Sequence, residues 1–137
     1  MATLKLDIIT PTSTIFEGDV ESVHLPGAEG DMGILPQHEA LVTELKAGEL
    51  SYVQNGKTEV LAIGEGFAEI TGTSVGVLTD GAVGESDIDE KTAEAAVKRA
   101  EELLKSNTLE GDELEATQAS LARSLAQIKV KRRRHGG

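Results

Sequence analysis

The run from Ser86 to Ser106, SDIDEKTAEAAVKRAEELLKS, contains neither glycine nor proline and is rich in alanine, glutamate, lysine and leucine. These residues lose little freedom on entering a helix, so the segment reads as one. Before it the chain has a different grammar, of short β-rich runs cut by glycine, proline and asparagine. A chain of 137 residues fits one medium domain, or a small domain with an appendage. We place a β unit at 1–84 and a helical unit at 85–137.

In the β half, LKLDIIT alternates, with Leu4, Leu6 and Ile8 on one face and Lys5, Asp7 and Ile9 on the other. Val20, Val23 and Leu25 supply the apolar positions of the next run, ahead of the break at Pro26-Gly27. LSYVQNGKTEVLAI is a hairpin by its Asn55-Gly56 pair, since these residues accept the positive φ angles of a two-residue turn. GFAEITGTSVGVLTD repeats the pattern about Gly72-Thr73. Closely spaced strands without intervening helices imply a β-sandwich or barrel.

The helical half predicts two helices. In the first, Ser86 or Asp87 is the expected N-cap, and Ala93, Ala96, Val97, Ala100, Leu103 and Leu104 form the apolar stripe. The break is expected at Gly111. ELEATQASLARSLAQIKVKRRR then carries Leu114, Leu121, Leu125 and Ile128 on one face and ends in bases, which suit the helix dipole. A short connection favours an antiparallel two-helix hairpin. Its alanine-rich face implies weak anchoring, so the hairpin is expected to undock without unfolding the β unit.

Composition excludes several functions. There is no cysteine, hence no disulfide, thiolate metal site or cysteine nucleophile. No apolar run approaches the ~20 residues of a membrane span, and the N-terminus reads as free of a targeting segment. The net charge is −11: residues 1–86 carry 14 acids and 3 bases, residues 87–128 carry 10 and 5, and the last nine carry 5 bases and no acid. So acidic a body opposes general nucleic-acid binding. Its few aromatics, Phe16, Tyr52 and Phe67, make no stacking platform.

The stretch EGDMGILPQH, Glu29 to His38, looks at first like a site. Its glycines, with Gly27, form G-x-x-G-x-x-G, which is neither a phosphate loop nor a dinucleotide fingerprint. It contains no lysine, and Glu29 and Asp31 would repel phosphate. His24, His38 and His135 lack metal-ligand spacing, and no nucleophile accompanies His38. We expect no catalytic residue and no metal. A turn shaped for another protein is the better reading. The basic tail suits an acidic protein surface, or only a solvated helix end.

Four blocks then carry a resemblance: LPGAEGDMGILPQHEALVTELKAGEL (25–50), AIGEGFAEI (62–70), VGVLTDGAV (75–83) and DIDEKTAEAAVKRAEELL (87–104). Their order and motifs resemble the epsilon subunit of F-type ATP synthases along essentially the whole chain. Ala40 departs from the pattern, which usually has proline after the histidine.

The resemblance implies a mainly β plus α fold, with an N-terminal β-sandwich followed by a C-terminal helical hairpin. It implies a non-catalytic subunit of the central stalk that joins the gamma subunit to the ring of membrane c subunits. Glu29, Gly30, Asp31, Met32, Gly33 and His38 match the interface with the ring and gamma. The hairpin of this family switches between compact and extended forms, and the extended form blocks ATP hydrolysis against the alpha and beta subunits. Arg123, Lys129, Lys131, Arg132, Arg133 and Arg134 match the basic residues that face acids on beta. Some members bind ATP through Ile/Leu-Asp-x-x-Arg-Ala. Here Ile88, Asp89 and Ala93 match, Thr92 replaces the arginine, and Arg99 or Arg123 would have to supply the charge. No cofactor is therefore expected, with ATP sensing as the alternative. The implied location is peripheral, at the cytoplasmic face of a bacterial plasma membrane or the stromal face of a thylakoid.

Overall fold

The computed structural model describes the backbone of residues 2–135 and the side chains of residues 2–132. Ten strands come first: β1 (Leu4–Ile9), β2 (Thr14–Val20), β3 (Ser22–Gly27), β4 (Gly30–Ile34), β5 (Leu41–Leu45), β6 (Gly48–Gln54), β7 (Lys57–Ile63), β8 (Gly66–Ile70), β9 (Ser74–Thr79) and β10 (Ala82–Gly84). A 3₁₀ turn, Glu85–Asp87, leads to helices α1 (Glu90–Lys105) and α2 (Gly111–His135).

The strands run in the order β10-β7-β6-β3-β5-β8-β9-β1-β2, with β4 paired to β3. β3 and β5 meet only at Gly27 and Leu45, and at this narrow joint the sheet folds over into a sandwich. All ladders are antiparallel except that of β1 with β9.

Alternation builds the core. Leu4, Leu6 and Ile8 are fully buried, as their two-residue period requires. They meet Val20, Val23, Leu25, Leu50, Ile63, Ile70, Val75 and Val77 from the other strands. Across the mouth between β2 and β6, Phe16 stacks on Tyr52 with ring centroids 4.4 Å apart. The Asn55-Gly56 turn forms as expected, with φ of 54° and 76°. Its Gly56 N–H donates to Glu21 Oε1 at 2.9 Å, tying the turn back to the start of β3.

The first helix begins later than the sequence suggests. Ser86 and Asp87 lie in the 3₁₀ turn, and Asp89 is the N-cap, its carboxylate accepting from Thr92 N–H at 3.1 Å. The cause is Ile88, which is extended (φ −75°, ψ 125°) and only 5% exposed. It enters a second apolar cluster with Val60, Ala62, Ala126 and Val130, and a helical backbone there would withdraw it. On α1 only Ala93 and Ala100 are buried, while Leu103, assigned to the stripe, is 44% exposed. The break also falls earlier, at Asn107, whose φ of 57° ends α1. Gly111 opens α2 instead of closing α1. The α2 helix packs on β6 and β7, and α1 packs on α2.

Candidate interaction surfaces

β3 and β4 form a tight hairpin whose ladder ends at the pair Gly27–Gly30. A Cβ on Gly27 would lie 2.6 Å from the Gly30 carbonyl oxygen, and Gly30 has φ of 143°. Both glycines therefore serve the turn. The tip is held by Ala28 N–H donating to the Glu44 carbonyl and Lys46 N–H to the Pro26 carbonyl, each at 2.9 Å. Ala28, Glu29, Gly30 and Asp31 are left exposed, while Met32 packs against the core. Gly33 lies under the His24 ring, where a Cβ would sit 3.3 Å from Nε2.

His38 is elsewhere, in the loop beyond the far end of β4. That loop is pinned by Gln37 N–H donating to the Gly72 carbonyl at 2.7 Å. The His38 side chain is half-buried, its Nδ1 2.8 Å from the Glu39 carbonyl. The structure thus separates His38 from Glu29 and Asp31 by the length of β4.

A third surface was missed in the sequence. Ile9, Leu78 and Phe67 are register partners across β1, β9 and β8, on the face turned away from the core. They are 37%, 59% and 54% exposed, and Val42 on the neighbouring β5 is 68% exposed. Glu44 flanks Phe67, and Glu69 flanks Val42. The signal lay in the alternation of GFAEI, which buries Ala68 and Ile70 and so turns Phe67 outward. Large apolar side chains aligned in this way mark a contact surface.

Three of the basic residues matched on α2 are engaged within the chain. Arg123 Nη1 donates to Asp80 Oδ2 at 2.9 Å, and Lys131 Nζ to the Glu85 carbonyl at 3.2 Å. Arg132 spans to α1, bonding Glu90 through Nε at 2.9 Å and Glu94 through Nη2 at 2.7 Å. Lys129 lines a cavity of about 830 Å³ between α2 and the β3, β5 and β6 corner. The expected contacts of Arg133 and Arg134 fall on side chains outside the described residues.

The nucleotide candidates are dispersed. Ile88 and Ala93 are buried, and Arg123 is held by Asp80. The Asp89 carboxylate caps α1, and chiefly the Thr92 backbone N–H holds its pKa below the ordinary carboxylate value. Arg99 is exposed roughly 15 Å further along α1. Among the described residues no three His, Asp or Glu groups converge as a metal site, and no helix is long and apolar enough to cross a membrane.

Residues 3–85 match the family model of the ATP synthase delta/epsilon chain β-sandwich domain, and residues 86–132 that of its long α-helix domain. The chain belongs to the ATP synthase delta/epsilon family. An ATP synthase epsilon chain of Desulforamulus reducens is 40% identical over 129 residues, covering 94% of this chain and 96% of that one. One from Dehalococcoides mccartyi is 41% identical over 137 residues, covering 98% of each. A chain in the mitochondrial ATP synthase of Euglena gracilis, solved with OSCP, F1 and the c-ring, superposes with TM-score 0.74 at 25% identity. That match covers 92% of this chain and 79% of the Euglena chain. A chain from the Tetrahymena thermophila central stalk and c-ring, 14% identical with TM-score 0.56, shares the fold. Delta/epsilon membership accounts for the order of elements seen here, strands first and the helical pair after them.

Proposed function

We propose that this chain is the epsilon-type subunit of an F-type ATP synthase: a joint in the central stalk, without an active site of its own. The observation that carries the reading is the exposed row Ile9, Leu78 and Phe67, with Val42 beside it. An isolated domain gains nothing from holding such side chains in water, where each forgoes ~1.5–3 kcal/mol of burial. A partner that covers them explains the row, and gamma is that partner. Glu29 and Asp31, on a rigid and polar hairpin tip, face the c-ring. His38 serves a separate contact at the far end of β4. The hairpin restrains ATP hydrolysis when it leaves the sandwich and meets the alpha and beta subunits. It does so without bound nucleotide, a reading supported by Thr92 in the place of the motif arginine and by Asp89 already serving as a cap. The subunit is then peripheral, held to the membrane through the complex.

Co-purification with gamma tests the reading. Phe67→Asp is expected to weaken gamma binding at least tenfold while leaving the fold intact, because the side chain already faces water. Gamma binding unchanged by Phe67→Asp and Leu78→Asp together would overturn it.

A further inference from the structure

Arg123 reaches from α2 into a fitted seat on the sandwich, built from two turns that face one another. One holds Gly64 and Glu65, and the other holds Asp80 and Gly81. Gly64 N–H donates to the Gly81 carbonyl at 2.8 Å, and Asp80 N–H to the Glu65 carbonyl at 3.0 Å. The Thr79 hydroxyl, 4% exposed, lies within 2.9–3.2 Å of the carbonyls of Gly64, Glu65 and Gly81. The turns are thus fixed before Arg123 arrives. Their glycines make the room: a Cβ on Gly64 would overlap the Asp80 carboxylate and lie 2.8 Å from Arg123 Cγ. A Cβ on Gly81 would come within 3.2 Å of Arg123 Cδ. Among the described residues Arg123 is the only side chain bonded to the Asp80 carboxylate.

We propose that Asp80 in this seat is a latch that holds the hairpin compact and keeps Arg123 from any outside carboxylate. Seated on Asp80, the Arg123 guanidinium is tied to the sandwich, and a carboxylate on a partner has to draw it out of that seat, so the latch and an acidic partner compete for its position. Arg132 is withheld similarly by Glu90 and Glu94, but those lie on α1 and can travel with the hairpin. Asp80 belongs to the sandwich, so of these arginine pairs only the Asp80 pair must break when the hairpin leaves, together with the apolar contacts of Ala126 and Val130. The latch concerns this chain alone, and its consequence for hydrolysis rests on the function proposed above.

The chain has no cysteine, so spin labels on Thr58→Cys in β7 and Gln118→Cys in α2 report the docking distance in the full-length protein. Asp80→Ala is expected to raise the undocked fraction roughly five- to tenfold. Gly64→Ala should do the same by displacing both partners without removing a charge. Asp80→Ala with Arg123→Ala should open the hairpin no further than either alone. A distance distribution unchanged by Asp80→Ala, or additive effects of the two alanines, would overturn the latch. In the assembled complex the variants should part: Asp80→Ala frees Arg123 and lowers hydrolysis severalfold, whereas Arg123→Ala removes the group that engages the partner and does not. A hairpin opened by Asp80→Ala with hydrolysis unaltered supports the latch and overturns the hairpin as a brake.

Discussion

Asp89 shows how a single side chain can set a boundary that a run of helix formers leaves open. Its carboxylate bonds the Thr92 backbone N–H, which lowers its pKa. A group with a depressed folded pKa contributes stability above its unfolded pKa and loses it as pH falls through the folded value. The first turn of α1 should therefore fray below about pH 4, seen as faster amide exchange at Thr92 and Ala93 while β1 and β9 stay protected. Asp89→Ala should produce the same local loss at neutral pH. Gly66 is a second decisive residue, because a Cβ there would overlap the Leu78 carbonyl across the β8–β9 ladder. Gly66→Ala is expected to cost about 1–3 kcal/mol, read from the denaturant midpoint. Loss of the glycine motif's apparent chemistry is also a residue-scale result, since Gly27 and Gly30 are consumed by a turn and Gly33 by the His24 ring.

At the scale of elements, and among the described residues, α2 rather than α1 has an extensive footing on the sandwich, through Ala126 and Val130 against Val60 and Ala62, with Ile88 closing the cluster. Burial stops there: between Glu101 and Arg123 no residue is fully buried, so the distal hairpin rests on half-covered leucines. Val130 is 1% exposed, and Val130→Ala is expected to remove about 1.5–2.5 kcal/mol from the docking of α2. Amide exchange should speed throughout α2 and remain unchanged in β1, β8 and β9. Equal acceleration in both parts would show that helix and sandwich unfold together. The strands themselves were legible because a period of two with Asn-Gly turns has few alternative readings. The start of α1 was not, because Ile88 is extended for the sake of a cluster whose other members come from β7 and α2.

For the whole molecule, the two apolar clusters share no buried residue. The sandwich closes its own core from β1 to β9, and the hairpin covers only its outer face. A chain ending at Glu85 should accordingly remain folded, with one cooperative urea transition at a lower midpoint. A broad, non-cooperative transition would show that the helices complete the core. The ion pairs that hold the hairpin are at least a third exposed, so salt should loosen docking before it affects the sandwich.

Taken by itself, the sequence determined the class of each half, most strand faces, the Asn55-Gly56 hairpin and the family, because these depend on local periodicity and on residues close together in the chain. Tertiary structure alone decided which surfaces are available. Phe67, Leu78 and Ile9 become one row only when β8, β9 and β1 are placed in register. Arg123, matched in the sequence to a basic residue that faces acids on another subunit, meets Asp80 across 43 positions of chain, a separation at which no local pattern can signal a contact.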